Sequence, residues 1–427
     1  MLALVDCNNF YVSCQRSFDP SLYGKAVVVL SNNDGCVIAR SNEAKAIPIK
    51  MGAPHFQLTE LIEQHQVRVF SSNYTLYGDM SARVMAILNR FVEEVEIYSI
   101  DEAFLNLDGY ERIYPDLQQF AHTLCATVDQ WTRIPVSIGI APTKTLTKIA
   151  NYYAKRQVEH NGVLLLNTPE KITAALADFD VADLWGIGWR YAGMLKRNGI
   201  RTAAQFAALP DDWINANLTV NGLRLAYELR GMPCKLLELE AAPKQTICTA
   251  PSFGKLIPDL ATITEALTTH VSRAAEKLRK QDSAACALTI FLHTNRFRRT
   301  PGNGLPAKQY TNSRTAILPH ATSSTPELVR YAQAALQAIY AFGYEYQKVG
   351  VILSGLVPAG HRQQALFTDA PDQRLSSLSK VVDKINHRHG RDRVRLASAG
   401  YSPEWHHKRQ WISPNYTTRW KEILSVR

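Results

Sequence analysis

No apolar run in this 427-residue sequence approaches the roughly 18 residues that a membrane-spanning helix requires. The amino terminus has no basic flank and Asp6 interrupts its first apolar run, so no secretory signal is expected. Cysteine is sparse: the seven present (7, 14, 36, 125, 234, 248 and 286) are scattered, odd in number and never spaced as C-x-x-C. That argues against a disulfide framework or a structural zinc site, and for a reducing compartment, the cytosol. Repeats and low-complexity tracts are absent as well. What remains is ordinary for a globular protein, with 46% hydrophobic and 20% charged residues. The charge is not balanced. A net charge of +10 favours a polyanionic partner, either nucleic acid or an acidic membrane surface. From Arg388 to Arg427 nine basic residues stand against three acids, so this tail alone carries +6. The length exceeds one hydrophobic core, and three to five domains of roughly 50–150 residues are expected.

The run Tyr98-Ser99-Ile100-Asp101-Glu102-Ala103-Phe104 places two consecutive carboxylates in an otherwise apolar strand. A strand sends neighbouring side chains to opposite faces, so one of the pair would enter the core. An unpaired carboxylate there costs several kcal/mol or neutralises itself. The pair is tolerable only where the strand bends sharply or where cations collect both groups. Asp6 likewise ends the apolar strand Leu2-Ala3-Leu4-Val5, and Cys7-Asn8-Asn9-Phe10-Tyr11 follows it. Taken singly, either acidic position fits a strand cap or surface ion pair as readily as a metal ligand. Together, three carboxylates at strand ends, with no histidine ligand and no cysteine pair, suit hard divalent cations such as Mg²⁺. The pattern reads as a two-metal phosphoryl-transfer centre.

Along the chain, residues 25–30 read as a strand entering a polar loop at 31–35, and 42–51 as a helix ended by Gly52 and Pro54. Helical spacing covers 76–91, 120–131 and 143–155; 93–107 reads as a strand hairpin whose bend holds Asp101 and Glu102, and 135–140 as a strand. An antiparallel sheet with helices on one face would result, an α+β layer. From Pro169 the sequence turns helical and strand-poor. Within it Leu184-Trp185-Gly186-Ile187-Gly188, with Leu195 and Gly199-Ile200 behind, resembles a helix-hairpin-helix whose backbone N–H groups can face a phosphate. A plain helix-connecting turn has the same glycines. A second α+β unit opens near Ala241–Lys244, with helices at 263–280 and 326–342 and strands at 285–294 and 348–353. Arg296, Arg298, Arg299 and Lys308 sit at its edge, suited to phosphates or to a solvated turn.

The runs Asp6–Ser13 and Tyr98–Phe104 resemble the two catalytic motifs of the Y-family translesion DNA polymerases. The segment Ser31-Asn32-Asn33-Asp34-Gly35-Cys36-Val37-Ile38-Ala39-Arg40 and the carboxy-terminal extension resemble the UmuC group of that family, the catalytic subunits of DNA polymerase V. The resemblance spans essentially the whole chain. It implies an α+β multidomain, right-hand polymerase: palm at 1–19 and 76–168, small fingers at 20–75, and a helical thumb with the helix-hairpin-helix at 169–236. An α+β little finger at 244–355, a connector at 356–374 and a UmuC-type carboxy-terminal domain at 375–427 complete it. The implied activity is error-prone, template-directed DNA synthesis across lesions in the SOS response, without proofreading. A polymerase IV type enzyme acting alone, a non-catalytic DNA-binding scaffold and a metal-dependent nuclease each share part of the pattern. Implied partners are primer-template DNA, a dimer of a processed UmuD-type subunit, RecA and the sliding clamp, with no membrane and a nucleoid-associated place in the cytoplasm.

Residue roles follow from the resemblance. Asp6, Asp101 and Glu102 would hold two Mg²⁺ ions together with the backbone carbonyl of Cys7. Phe10 and Tyr11 would meet the dNTP, Tyr11 as the steric gate against ribose, with Lys45 and Lys155 on the triphosphate. Asn42 stands where relatives often carry a tyrosine three residues before the lysine. Lys144 and Lys148, one turn apart, would share a face toward DNA or phosphate, alongside Gly186, Gly188, Arg296, Arg298 and Arg299. Small or medium side chains at 35–39 would cover the nascent base pair. Gln363-Gln364-Ala365-Leu366-Phe367 resembles a clamp-binding peptide, anchored by Gln363, Leu366 and Phe367.

Overall fold

The apolar strand Leu2–Cys7 becomes the centre of a five-stranded sheet because it can pair on both edges. In order the strands are Val95–Ile97, Glu102–Asn106, Leu2–Cys7, Val136–Ala141 and Val163–Leu165. The first four run antiparallel; Val163–Leu165 lies parallel to Val136–Ala141. A parallel neighbour cannot be reached by a hairpin, and the helix Lys144–Arg156 makes the crossover. Its consequence is a correction. Helices were expected on one face of the sheet, yet this crossover helix occupies the other. Ala3, Val5, Leu105, Ile138 and Ile140 pack toward the helices Tyr74–Phe91 and Leu117–Thr132. On the opposite face, Gly139 lies directly under the backbone of Thr147 and Asn151.

The computed structural model describes residues 1–240, 242–299, 304–360, 373–401 and 404–425. Two compact units emerge: Met1–Ser31, Cys36–Ala241 and Trp411–Arg427 form the first, and Asn32–Gly35 with Ala242–Gln410 the second. The carboxy-terminal extension is therefore shared between them, with its last segment in the first unit. There Tyr416 stacks on Phe18 at 4.9 Å and the Asn73 side chain donates to the Ser413 carbonyl.

The first unit also holds a three-stranded sheet, Val37–Arg40, Val27–Leu30 and Arg68–Ser71, with Val28, Leu30, Val37 and Ile49 in its small core. The helix expected over 42–51 is a single turn, Asn42–Lys45. Pro48 accounts for this: it lacks an N–H and disfavours helical backbone at the residue before it. Beyond Pro169 come the helices Pro169–Ala177, Trp189–Arg197, Ala203–Ala207 and Asp211–Leu229, gathered around Leu184, Leu195, Phe206 and Leu225.

In the second unit an antiparallel sheet runs Ser252–Ile257, Tyr346–Pro358, Ser283–Thr294, Thr311–Thr322, and Ile247–Thr249 also pairs with Tyr346–Pro358. Leu260–Lys280 and Thr325–Ile339 bury their apolar faces on it. Thr311–Thr322 was not anticipated from the sequence; as an edge strand it is mostly polar and exposed, with no alternation to reveal it. Gln373–His389 is a further helix, fixed to the first by a bidentate Arg279–Asp383 pair at 2.6 and 2.8 Å. No helix among the described residues is long and apolar enough to cross a membrane.

Candidate active site

The bend demanded by two adjacent carboxylates is present. Ser99, Ile100 and Asp101 leave the sheet between Val95–Ile97 and Glu102–Asn106, so Asp101 sits at the bend and Glu102 opens the next strand. Ser99 builds it: its Oγ accepts from the Asp101 and Glu102 N–H groups at 3.2 and 3.0 Å and donates to Asp101 Oδ1 at 2.6 Å. The Cys7 N–H donates to the Asp101 carbonyl at 2.8 Å, tying the bend to the end of the central strand. Asp6 lies directly opposite Glu102 in the ladder. All three acids expected to act together are thus brought together.

Their charge is only partly offset. Lys155 Nζ lies 2.5 Å from Asp6 Oδ1, and Lys148 Nζ 2.7 Å from Glu102 Oε1. Even so, burial pushes the Asp6 carboxyl up to about 6 against the pull of Lys155, with Glu102 and Asp101 adding repulsion. Among the described residues no three acid, histidine or cysteine side chains converge closely enough to cage an ion, because each carboxylate is turned to its own partner. The donor set nevertheless fits hard divalent cations: three carboxylates within electrostatic reach of one another. The Cys7 thiol is no part of that set. It is buried, and burial raises its pKa well above the ordinary value, so the thiol stays protonated.

Beside Asp6 a cavity of about 330 Å³ opens, lined by Asn8, Asn9, Ser13, Arg16, Tyr23, Asn42, Lys45, Arg133, Pro135 and Lys155. Four of these are cations and none is an acid. The cavity lies at the amino-terminal end of the helix Phe10–Phe18, where backbone N–H groups and the helix dipole favour anions. Lys45 and Lys155, both expected on the triphosphate, line this one cavity. Lys45 loses proton affinity chiefly through burial, then through Arg40, Lys155 and Arg156 nearby. Its ammonium donates to Asn42 Oδ1 at 3.2 Å, which also accepts from Asn9 Nδ2 at 3.1 Å. Arg16, in the last turn of the helix Phe10–Phe18 and paired with Glu43 at 2.8 Å, and Arg133, just past the helix Leu117–Thr132, were missed; nothing in their spacing reveals that they line a cavity.

Tyr11 packs flat against Tyr77, with ring centroids 4.5 Å apart, and edge-on to Tyr74. Burial raises its hydroxyl pKa. Phe10 differs from expectation: its ring is 3% exposed within the core and does not line the cavity.

Lys144 requires a correction. Its side chain is 5% exposed and pairs with Glu96, so it offers no surface to DNA. It begins the helix Lys144–Arg156 and, with Lys148, faces inward over the Phe104 ring at 4.9 and 5.8 Å. A second buried acid went unnoticed in the sequence. The Glu228 carboxylate accepts from the N–H groups of Thr145, Cys234 and Lys235 at 3.0, 2.6 and 3.0 Å. Gly186, at φ +102°, makes the turn that a side chain would strain, and it and Gly188 leave open space around themselves. In the second unit Arg298 pairs with Glu345 and Arg299 donates to the Gly304 carbonyl at 2.8 Å, while Arg296 is exposed. The peptide Gln363–Phe367 lies outside the described residues.

Residues 5–152 match the impB/mucB/samB family, 244–366 its C-terminal domain, and 376–426 a domain of unknown function. The chain is 40% identical to Protein UmuC of Salmonella typhimurium over 429 residues, covering 100% of both. It is 36% identical to Protein MucB of Escherichia coli over 424 residues, 99% of both. Among solved structures it is similar to a Y-family DNA polymerase chimera, Dbh-Dpo4(243-245)-Dbh. The TM-score is 0.64 at 18% identity, covering 83% of this chain and 99% of the other. Motifs, fold and full-length likeness agree: the chain belongs to the impB/mucB/samB family and has the fold of a Y-family DNA polymerase.

Proposed function

We infer that this chain is an error-prone, template-directed DNA polymerase that extends primers across damaged template. One observation carries the reading: three carboxylates at adjoining strand ends stand beside a cavity lined by four cations and no acid. Asp6, Asp101, Glu102 and the Cys7 carbonyl would hold two divalent cations, which lower the pKa of a primer hydroxyl and neutralise charge on the transferring phosphoryl group. Lys45, Lys155 and the amino-terminal end of Phe10–Phe18 would receive the triphosphate of a dNTP. Most of the remaining work is positioning, for which a rigid sheet end is suited. Exposed Gly186 and Gly188, Arg296, Arg298 and Arg299 would meet the backbone of primer-template DNA. Incubation with primed template, Mg²⁺ and dNTPs tests the reading: extension supports it, while shortening would assign a nuclease and no reaction a scaffold.

Tyr11 would be the gate that rejects ribonucleotides. Its stacking on Tyr77 fixes the ring, so the exclusion is steric and not adaptive. Tyr11→Ala should improve relative use of rNTPs by about tenfold or more while dNTP incorporation persists. Unchanged rNTP-to-dNTP selectivity would return Tyr11 to the role of a packing aromatic.

The peptide Gln363–Phe367 would dock in an apolar pocket of the sliding clamp. Replacing Gln363, Leu366 and Phe367 with Ala should weaken clamp affinity more than about tenfold, since each apolar anchor buries roughly 1.5–3 kcal/mol. Clamp-free extension of short oligonucleotides should be unaffected. Equal clamp affinities would make the pentapeptide a linker. Cytoplasmic action with a processed UmuD-type dimer and RecA completes the reading; extension assayed with and without both partners tests it.

A further inference from the structure

We propose that Lys148 is a positioning residue for the Glu102 carboxylate, and that Trp185, at the mouth of the thumb's glycine turn, holds Lys148 in place. The proposal rests on the polymerase reading and gives the thumb turn a direct physical connection to the catalytic acids.

The ammonium of Lys148 donates to Glu102 Oε1 at 2.7 Å. Around it stand three aromatic rings, with centroids 4.8 Å away for Tyr98, 5.1 Å for Trp185 and 5.8 Å for Phe104. The rings support one another: Tyr98 meets Phe104 at 5.5 Å and Trp185 at 5.7 Å, both edge-on, and Phe104 lies 6.2 Å from Trp185. Two of them flank the acidic bend, Tyr98 before it and Phe104 after it, but Trp185 arrives from a distant part of the chain, one residue before Gly186.

Such a cage attracts a cation through the ring quadrupoles, and indole does so most strongly. The ammonium lies over the rings and keeps its hydrogen bond to Glu102, so the π faces hold it without replacing that bond. A lysine on a flexible four-carbon stem, paired with one carboxylate at about a fifth exposure, would otherwise sample many positions. Confinement by three rings removes that freedom and fixes the rotamer of Glu102 opposite Asp6. Trp185 is itself held: the Lys235 ammonium sits 3.7 Å from its ring. Lys144, which also faces Phe104, is neutralised by Glu96 and leaves Lys148 as the cation available to Glu102. Simple packing of the thumb on the sheet accounts for the ring contacts. It does not account for an ammonium bonded to a catalytic carboxylate at their centre.

Two measurements on the full-length protein test this. The first needs neither DNA nor metal: reductive methylation of lysines, followed by mass spectrometry. Lys148 should label slowly in the parent, about threefold or more faster in Trp185→Leu, and slowly again in Trp185→Phe, which keeps a π face. Equal Lys148 rates in the parent and Trp185→Leu would overturn the cage. The second is single-turnover incorporation at saturating dNTP and primer-template. Lys148→Met should lower the rate about tenfold and Trp185→Leu somewhat less, with primer-template affinity and apparent dNTP affinity within about twofold of the parent. If Trp185 acts through Lys148, the double variant is no slower than Lys148→Met alone. Additive losses would overturn the relay and leave Trp185 a packing residue. A parent that extends no primer would defeat the polymerase reading instead, and the labelling experiment would still decide the cage.

Discussion

Asp101→Asn should abolish nucleotide incorporation while leaving folding and primer-template binding nearly intact. The expected loss is at least about 10²–10³-fold, the scale on which removal of one transition-state stabiliser is felt. Asp101 occupies the bend between two strands, where its Oδ1 accepts one hydrogen bond from Ser99. A carboxamide keeps an oxygen for that bond, and the backbone ties to Cys7 and Ser99 are unaffected by the substitution. The local structure therefore has little reason to change. The charge changes fully. One of the anions proposed to hold the two cations disappears, and with it part of the repulsion on Asp6. Stability to denaturation should stay within about 0.5 kcal/mol of the parent, as for a substitution that breaks no packing. Primer extension in Mg²⁺, paired with a melting curve and a primer-template binding isotherm, checks each part. A variant that still extends primers within tenfold of the parent would sink the metal assignment.

What the sequence made legible depended on whether local chemistry alone decides the outcome. Adjacent acids in an apolar strand can be accommodated only by a bend or by cations, so the bend at Ser99–Asp101 could be foreseen from Asp101-Glu102 itself. The apolar runs at Leu2–Val5 and Pro135–Ile140 became neighbouring strands because each could bury both faces. The meeting of Asp6 with Asp101 and Glu102 at adjoining strand ends was legible for the same reason. Long-range partnership was not. Lys144 and Lys148 looked alike as basic residues one helical turn apart, and nothing nearby in sequence announced that Glu96 would take one and Glu102 the other. Phe10 and Tyr11 are consecutive aromatics at the start of one helix. Only the fold sends the first into the core and stacks the second on Tyr77. The edge strand Thr311–Thr322 was invisible because its polar residues carry no period-two pattern. The short helix Asn42–Lys45 was legible in principle, since Pro48 forbids the longer one.

Gly139→Val should prevent the first unit from folding stably, and Gly139→Ala should fold yet lose activity. Gly139 lies in mid-strand between Leu4 and Leu164, on the face covered by the helix Lys144–Arg156. A Cβ built there would stand 2.3 Å from the Asn151 nitrogen and 2.3 Å from the Thr147 oxygen, both backbone atoms. Neither can rotate away, so the helix itself must retreat. It is bound to the sheet by the Asn151 side chain, which donates to the Ser137 carbonyl at 2.7 Å and the Leu4 carbonyl at 3.3 Å. Overpacking costs about 1–3 kcal/mol, and leaving buried polar groups unpaired adds about 1–3 kcal/mol each. For a branched side chain the total approaches the whole stability of a domain, roughly 5–15 kcal/mol. Alanine demands a smaller retreat, of the order of 1 Å. That shift is carried directly to the active site, because Lys148 and Lys155 project from the same helix onto Glu102 and Asp6. A displacement of about 1 Å at positioning groups can cost about 10²-fold in rate. Gly139→Ala should therefore lower the incorporation rate at saturating dNTP while its melting transition, reduced by several degrees, stays cooperative. Parent-like melting and activity in Gly139→Ala would show that the sheet can accept the extra methyl, and that the helix carrying the lysines does not depend on this close approach.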